Sequence, residues 1–298
     1  TTFLKSMSNV QAGILQLVPS QGRYLFFSLA QPAAAAQALQ RFAALADGDT
    51  VVAGLGLATV AALGRSVPGL RDMPDLSGHG VQVPSTPVAL WCWLRGDDRG
   101  DLVNLSRQLE KALAPAFHMD RALEAFRHGK GPNGHGRDLT GYEDGTENPD
   151  GDAAQAAGVA ADGASFVAVQ QWVHDFDAFE AMPTHEQDNA VGRRRSDNVE
   201  LDDAPESSHV KRTAQESFEP EAFVVRRSMP WVMNNKAGLM FVAFGHSFDA
   251  FEAQMRRMAG HDDGIVDDMF RISKPVNGAY LWCPPVKDGR LDLRQIGL

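Results

Sequence analysis

Three carboxylates and two glycines are concentrated in one nine-residue stretch, 141–149, which reads GYEDGTENP. A segment this polar and turn-prone does not suit a core strand, so we predict a loop. Most acidic, glycine-rich loops are solvated surface turns, and calcium binding is the usual functional alternative. The carboxylates of Glu143, Asp144 and Glu147 do not follow the alternating ligand positions of a calcium loop. Asp144 is the candidate for chemistry, because glycines beside it allow the backbone to approach a flat ligand closely.

The pattern Gly141-x-x-Asp144-Gly145 resembles the G-x-x-D-G signature of dye-decolourising peroxidases, and GYEDGTENP as a whole is similar to that of the B-type branch. The resemblance runs from about residue 5 to residue 285 and is strongest in GYEDGTENP, HVKRTAQESF and RRSMPW. It implies a haem enzyme that reduces hydrogen peroxide and oxidises bulky organic donors, such as dyes and phenolics, by one-electron steps through a ferryl intermediate. It also implies haem b as the cofactor, bound mainly by the second of two ferredoxin-like halves.

A haem iron needs an axial ligand, and the chain has nine histidines. His209 differs from the others, which lie in glycine-rich, charged or helix-edge contexts that fit surface or structural roles. It begins a strand-like HVKRT and matches the family's proximal ligand in S-x-H-V, although a lone histidine is more often structural. The resemblance implies His209 as the iron ligand and Asp267 as the carboxylate that orients its ring. The adjacent Asp268 is the alternative.

The resemblance further implies a distal base and a cation that assist cleavage of the peroxide O–O bond. Asp144 matches the base, and Arg226 in VVRRSMPW matches the cation. Arg227 is the alternative, but consecutive strand side chains point to opposite faces, so only one of the two arginines can reach the haem. By the same alternation Ser228 is expected to point with Arg226 and to hydrogen-bond distal water or peroxide. Because an unperturbed aspartate is a base mainly in acid, we expect an acidic optimum.

Two further questions concern the haem periphery. Arg193 in AVGRRRSDN is the best match to the G-R pattern that binds a haem propionate in the family, and a solvated basic turn is the alternative. Donors could be oxidised at the haem edge or at surface residues such as Tyr142, Tyr280 or Trp231.

The alternative function is a haem-handling or porphyrin-handling protein with incidental peroxidase activity, which would need the axial histidine but no distal acid–base pair.

The elements that must position these residues form two similar halves. ALWCWLRGDDRGDLVNLSRQLEKAL and GLMFVAFGHSFDAFEAQMRRMAG each read as a buried strand, a polar turn and an amphipathic helix, with Asp101 and Ser247 as N-caps and Gly260 as a stop. The pattern predicts an α+β fold of two ferredoxin-like halves with antiparallel sheets and packed helices, divided into 1–140 and 141–298. Predicted strands cover 10–18, 24–30, 51–57, 88–94, 121–127, 165–173, 223–227 and 238–244, and predicted helices cover 32–46, 101–117, 176–181 and 248–259.

Composition and charge limit the function classes. A net charge of −10 opposes binding to nucleic acid or to anionic membrane surfaces, and no apolar run approaches the roughly 18 residues of a membrane span. Residues 1–20 lack a contiguous apolar core and a twin-arginine pair, so a cytoplasmic location is expected. Cys92 and Cys283 are predicted to be buried thiols, and Gly54-x-Gly56 to mark a bulge or close packing. The expected partners are hydrogen peroxide, small-molecule electron donors and further copies of the chain in a homo-oligomer.

Overall fold

The computed structural model describes residues 9–298, so residues 1–8 of the first predicted domain, and the first few residues of the family resemblance, lie outside it. The strands are β1 (Gln21–Leu29), β2 (Val51–Leu55), β3 (Leu90–Gly96), β4 (Phe117–Phe126), β5 (Ser165–His174), β6 (Val225–Arg226), β7 (Met229–Met233), β8 (Lys236–Gly245), β9 (Ser273–Pro275), β10 (Ala279–Cys283), β11 (Val286–Lys287) and β12 (Arg290–Leu291).

The α-helices are α1 (Ala12–Leu15), α2 (Ala35–Ala43), α3 (Leu57–Ala62), α4 (Arg99–Leu113), α5 (Gly151–Gly158), α6 (Phe176–Ala181), α7 (Thr184–Val191), α8 (His209–Arg212) and α9 (Asp249–Met258). Single 3₁₀ turns cover Pro32–Ala34, Gln215–Ser217, Asp268–Arg271 and Arg294–Ile296. None of the helices within 9–298 is long and apolar enough to cross a membrane.

The longer strands close into one antiparallel barrel. Its order is β4-β1-β3-β2-β10-β5-β8-β7, and β7 pairs again with β4. The two halves of the chain meet at two seams, where Leu55 of β2 pairs with Trp282 of β10 and Ala125 of β4 pairs with Trp231 of β7. Short β6 extends the pairing of β7 along β8, and β9 extends that of β10 along β5. The predicted α+β fold with antiparallel strands and packed helices is confirmed.

Side chains on each barrel strand alternate between two separate cores, as the two-residue period of a strand requires. Tyr24 and Phe26 of β1 pack with Trp91, Trp93 and Phe244 in a cluster that draws on strands of both halves and fills the barrel interior. Leu25 and Phe27 belong instead to a cluster on the outer face, which includes apolar residues of α2, α4 and α9. Helices α2, α4 and α9 therefore cover the outside of the barrel, whereas its interior is filled mainly by side chains of the sheet, together with Ile14 of α1 and Ala154 and Ala157 of α5.

Several predicted elements need correction. Residues 10–18 form no strand: they contain α1, and the Gln11 amide hydrogen-bonds both the N–H and the C=O of Ala53 on β2, where a neighbouring strand would otherwise pair. HVKRT is the helical turn α8 and not a strand. Helix α4 begins and ends earlier than predicted, because Asp98 caps it in place of Asp101 and Pro115 prevents its continuation.

Other local predictions are confirmed. Gly260 follows α9 with a φ of +80°. Ser247 is an exception, because Phe248 holds the N-cap position without a side-chain cap, and the Ser247 hydroxyl only accepts a 3.3 Å hydrogen bond from the Asp249 N–H. Cys92 and Cys283 are free, fully buried thiols whose pKa is raised by burial. Gly56 marks close packing, since a Cβ there would lie 2.0 Å from the Val88 carbonyl oxygen.

Candidate functional site

A large cavity lies on the outer face of the second-half sheet. Alternate outward positions of β5 form part of its wall, with Gln170, Trp172 and His174, and α9 closes it with apolar side chains that include Phe251 and Met255. It encloses about 1440 Å³ of space that is partly open to solvent. All of its lining residues lie at or after position 138, so the cavity is walled by the 138–147 loop and by the second half of the chain.

His209, the first residue of α8, lines this cavity and is oriented by a buried carboxylate. Its Nδ1 lies 2.8 Å from Oδ2 of Asp267, a side chain with no exposed surface. The other oxygen of Asp267 accepts a hydrogen bond from the backbone N–H of Met269. Asp268 turns away and accepts a hydrogen bond from the Ser207 hydroxyl. Of the two candidate carboxylates, Asp267 is therefore the one on the histidine.

The hydrogen bond to Asp267 determines which nitrogen of His209 is available for other chemistry. A carboxylate at Nδ1 holds the proton there and leaves the lone pair on Nε2. The side chain of His209 is 24% exposed, and this surface faces the cavity that it lines. The arrangement suits a neutral imidazole that ligates a metal through Nε2.

Asp144 is held in the same cavity by a loop that its glycines make possible. Gly141 and Gly145 have φ values of +92° and +90°, a region that side chains disfavour. The backbone N–H of Asp144 donates to the Gly136 carbonyl, which fixes the loop against the preceding turn. The neighbouring Glu143 accepts hydrogen bonds from backbone N–H groups of 133 and 135, so it has a structural function and does not join Asp144 in a calcium site.

Arg226 lies beside Asp144, with Nη1 3.8 Å from Oδ1. The two side chains are 21% and 28% exposed, and both line the cavity. Burial raises the pKa of Asp144; the Arg226 charge opposes this and the Asp138 charge adds to it, leaving the pKa above its ordinary value. Asp144 is therefore an aspartate that can hold a proton at higher pH than usual.

Strand alternation separates the two neighbouring arginines, as predicted. Arg227 points away from the cavity and donates to the carbonyl oxygens of Ile14 and Leu15. Burial, with a smaller effect of the Arg95 charge, lowers the pKa of Arg227 to about 10. Its hydrogen bonds tie the second half to the first, whereas Arg226 faces the cavity.

Ser228 differs from expectation, because it is not among the residues that line the large cavity. It lines a smaller cavity of about 720 Å³ that shares Asp144 and Arg226 with the large one. Its hydroxyl oxygen accepts a hydrogen bond from the backbone N–H of Val242. The short serine side chain is thus held by the adjacent strand, and its contact with peroxide stays a prediction.

Asn148 joins the loop of Asp144 to the strand of Arg226, a function that the sequence did not reveal. Its Oδ1 accepts from the Arg226 N–H and its Nδ2 donates to the Arg226 C=O, both at 2.8 Å. The amide thus pairs with an edge of β6 as a neighbouring strand would. The only sequence signal was an asparagine in the same motif as Asp144.

Arg193 also lines the cavity, and its side chain is 11% exposed. It forms ion pairs with Glu147 and Glu200 and donates to the Asn198 carbonyl. This burial argues against a solvated basic turn. The guanidinium lies where it could meet an anionic group of a bound ligand.

The three aromatic residues considered as surface oxidation sites are buried. Tyr142 is 5% exposed, and Tyr280 and Trp231 are each 2% exposed. Tyr142 lines the cavity and donates its hydroxyl to Asp188, while the Trp231 indole donates to the Trp172 carbonyl. The expectation of surface residues was wrong: Tyr280 and Trp231 are covered in the two cores on the faces of the sheet, and Tyr142 packs with Phe179, Val191 and Ile272.

His174 is more than the surface or structural histidine that its sequence context suggested. Its side chain is 6% exposed and lies between Asp138 and Ser273 in the cavity wall. The position could have been found by continuing the outward alternation of β5 from Gln170 through Trp172. Its partners Asp138 and Ser273 lie 36 and 99 residues away in the chain, so no local sequence motif predicts these contacts.

Comparison with known proteins agrees with this geometry. Residues 135–288 match the family model described as "Dyp-type peroxidase, C-terminal". The dye-decolorizing peroxidases of Mycolicibacterium paratuberculosis and Mycobacterium tuberculosis are each 29% identical over 229 residues, or 73% of this chain. The match spans 63% of the first of these proteins, which is less than two thirds of its length, and 67% of the second.

Solved structures give a likeness over nearly the whole chain. A dye-decolorizing protein from V. cholerae superposes with a TM-score of 0.82 at 28% identity, covering 91% of this chain and 96% of that one. A variant of DypB from Rhodococcus jostii, described as a complex with heme, gives a TM-score of 0.80 at 26% identity and covers 92% of this chain and 96% of its own.

Proposed function

Because the chain belongs to the Dyp-type peroxidase family, we propose that it binds haem b and uses hydrogen peroxide to oxidise bulky organic donors, such as dyes and phenolics, in one-electron steps. The observation that carries the proposal is the meeting of two residue pairs in one cavity. His209 with Asp267 supplies an oriented metal ligand, and Asp144 with Arg226 supplies a base and a fixed cation. A protein that only stores or transfers porphyrin needs the first pair and not the second.

The residues present fit a haem group. The cavity is large, and much of its wall is apolar, as a porphyrin face requires. Nε2 of His209 is the free nitrogen of a ring whose other nitrogen faces a buried carboxylate, which is a common haem-ligand arrangement. Nε2 of Gln170, in the cavity wall, is buried without a hydrogen-bond partner in the described part of the chain. Arg193 is the residue that we propose for a propionate.

Bound haem supplies the iron redox chemistry that peroxide reduction requires. Asp267 keeps the proton of His209 on Nδ1 and increases electron donation from Nε2. Since Asp267 is fully buried and also accepts from the Met269 N–H, it is held in place for this function.

Asp144 and Arg226 act on peroxide itself. The Asp144 carboxylate takes the proton from one peroxide oxygen and returns it to the leaving oxygen, while the Arg226 guanidinium stabilises the negative charge that develops there. Asp144 is a base only when ionised. Because its pKa is raised, the peroxide step should weaken as the pH falls through that raised value. The acidic optimum for donor oxidation stays a prediction within this limit.

We also infer that each half of the chain is a ferredoxin-like unit and that haem belongs to the second. The strand order β4-β1-β3-β2 of the first half recurs as β10-β5-β8-β7 in the second, and in each half a helix follows the first and the third of these strands in chain order. The site residues at and after position 138 support assignment of haem to the second half. The division at residue 140, the cytoplasmic location and the homo-oligomer stay predictions.

A reconstitution experiment tests the function. The chain is supplied with haem, and peroxide-dependent oxidation of a bulky dye is followed together with the haem-to-protein ratio. We expect stoichiometric haem and steady turnover, with turnover lost in the double variant Asp144→Asn/Arg226→Leu while haem stays bound. Full haem binding without peroxide-dependent oxidation at any pH would instead indicate a haem-handling protein.

A further inference from the structure

A buried chain of polar groups lies next to the loop that carries Asp144. Nε2 of His174 is 2.9 Å from Oδ1 of Asp138, and Nδ1 is 2.6 Å from the Ser273 hydroxyl oxygen. That hydroxyl lies 3.2 Å from the Val173 carbonyl, to which it can donate. Each ring nitrogen of His174 therefore faces an oxygen that can accept, an arrangement that suits the doubly protonated, cationic imidazole.

Asp138 connects this chain to the Asp144 loop. Its backbone N–H donates to the Tyr142 carbonyl and its C=O accepts from the Gly141 N–H, so it forms the base of the loop. Its Oδ2 accepts from both the backbone N–H and the hydroxyl of Thr140. His174 lies on β5, and its contact with Asp138 thus fixes the loop to the barrel.

We propose that His174 and Asp138 form a buried ion pair. The pair positions the Asp144 loop and sets the net charge beside the Asp144 carboxylate. The inference rests on the proposed function, because it concerns the residue to which that function assigns the proton transfer. His174 and Asp138 are positioning residues here: they act through Asp144.

The charges around Asp144 come from three elements. Arg226 on β6 favours its ionised form and Asp138 at the base of its own loop opposes it, while His209 on α8 adds to the effect of Arg226 only when its ring carries a second proton. The neighbouring Glu143 is turned to backbone N–H groups and is not among these groups. Asp138 is therefore the one anion that acts on Asp144 in this set, and His174 is the cation that compensates it.

The ionisation of Asp138 depends on this cation. Burial raises its pKa, but the hydrogen bond and charge of His174, with the hydrogen bonds of Thr140, outweigh the burial and hold the pKa below its ordinary value. With His174 in place, the pair is close to neutral overall. Removing His174 leaves the Asp138 anion uncompensated near Asp144, whereas removing Asp138 takes that anion away, so the two removals should act on Asp144 in opposite directions.

The opposite directions provide the test. In His174→Gln the cation is lost and Asp138 remains, so both carboxyls should bind protons at higher pH than in the wild type. In Asp138→Asn the anion that opposes ionisation of Asp144 is lost, so Asp144 should titrate at lower pH. A pair that only supports packing would alter stability in both variants without moving the titration of Asp144 in opposite directions.

Carbon-13 NMR of the chain without haem measures this directly, with label in the aspartate carboxyl groups and the Asp144 signal assigned by its loss in Asp144→Asn. Thr140→Val is the matched control, since it removes one hydrogen bond to Asp138 without changing formal charge and should leave the Asp144 midpoint near that of the wild type. An Asp144 midpoint that moves in neither charge variant overturns the proposal. Should His174→Gln fail to fold, Asp138→Asn alone decides.

The same variants loaded with haem separate this proposal from the proposed function. We expect the pH at which the peroxide reaction falls off to follow the NMR midpoint in each variant. If the Asp144 signal moves while the pH dependence of the peroxide reaction does not, the electrostatic coupling stands and the assignment of Asp144 as the base is wrong.

Discussion

Replacement of Arg226 by leucine tests the separate functions proposed for Asp144 as the base and Arg226 as the cation. The guanidinium lies 3.8 Å from the Asp144 carboxylate. Two unit charges at this separation interact by about 1 kcal/mol in bulk water and about 4 kcal/mol at the effective dielectric constant of a protein site. Both side chains are partly exposed, so the interaction lies between these limits. Loss of Arg226 should therefore raise the pKa of Asp144 further and weaken it as a base.

In the proposed mechanism, Arg226→Leu also removes the cation that stabilises the transition state of O–O cleavage. Removal of one preorganised group that stabilises developing negative charge typically costs about 10²–10³-fold in rate. Removal of a general base costs about 10²–10⁴-fold, and water can replace part of it. Since Arg226→Leu removes the cation and weakens the base together, it should slow the reaction with peroxide by about 10³-fold, at least as much as Asp144→Ala does.

Stopped-flow mixing of each haem-loaded variant with hydrogen peroxide, at several pH values, measures these rates. The fall in rate at low pH should move to higher pH in Arg226→Leu and should disappear in Asp144→Ala. Arg227→Leu is the matched control, because that buried side chain hydrogen-bonds the first half of the chain and should lower the unfolding midpoint while keeping the peroxide rate. A larger rate defect in Arg227→Leu than in Arg226→Leu would refute the assignment, and a much slower Asp144→Ala at every pH would show that proton transfer dominates.

Three further predictions concern other contacts. Asn148→Ala removes both hydrogen bonds to the Arg226 backbone and should slow the peroxide reaction in stopped flow while haem content is kept; an unchanged rate would show that the contact does not position Arg226. Asp267→Asn should change the ferric haem spectrum, because an amide is a weaker acceptor for His209, whereas Asp268→Asn should leave it nearly unchanged; equal effects would contradict the assignment of Asp267. Phe244→Ala empties part of the barrel interior and should cost about 3–5 kcal/mol in denaturant unfolding, and a cost under about 1 kcal/mol would contradict the packing described.

Local sequence patterns predicted most of the strands and the loop of Asp144, because the alternation of apolar residues and the turn chemistry of glycine act over a few positions. They did not predict closure of the barrel. Closure depends on the pairs Leu55 with Trp282 and Ala125 with Trp231, which join distant strands and leave no mark on the segments themselves. The predicted strand at 10–18 failed for a related reason, since the Gln11 side chain takes the place of a strand there.

Some residues of the candidate site could be predicted from the sequence and others could not. Asp144, His209 and Arg226 stand in motifs that the resemblance could locate, and strand alternation separated Arg226 from Arg227. Asn148 and His174 have no such signal, because their contacts join residues 78 and 36 positions apart. A polar side chain that bonds a distant backbone or carboxylate looks the same in sequence as one that faces solvent.

The most direct test of the account is the haem content of His209→Ala. His185→Ala, which changes an exposed histidine, is the matched control. Each protein is supplied with haem, and the haem-to-protein ratio and the ferric spectrum are measured. If His209 is the axial ligand, His209→Ala should lose stoichiometric haem or bind it with an altered ferric spectrum, while His185→Ala keeps the wild-type values. A His209→Ala protein with stoichiometric haem and an unchanged spectrum would contradict the central claim.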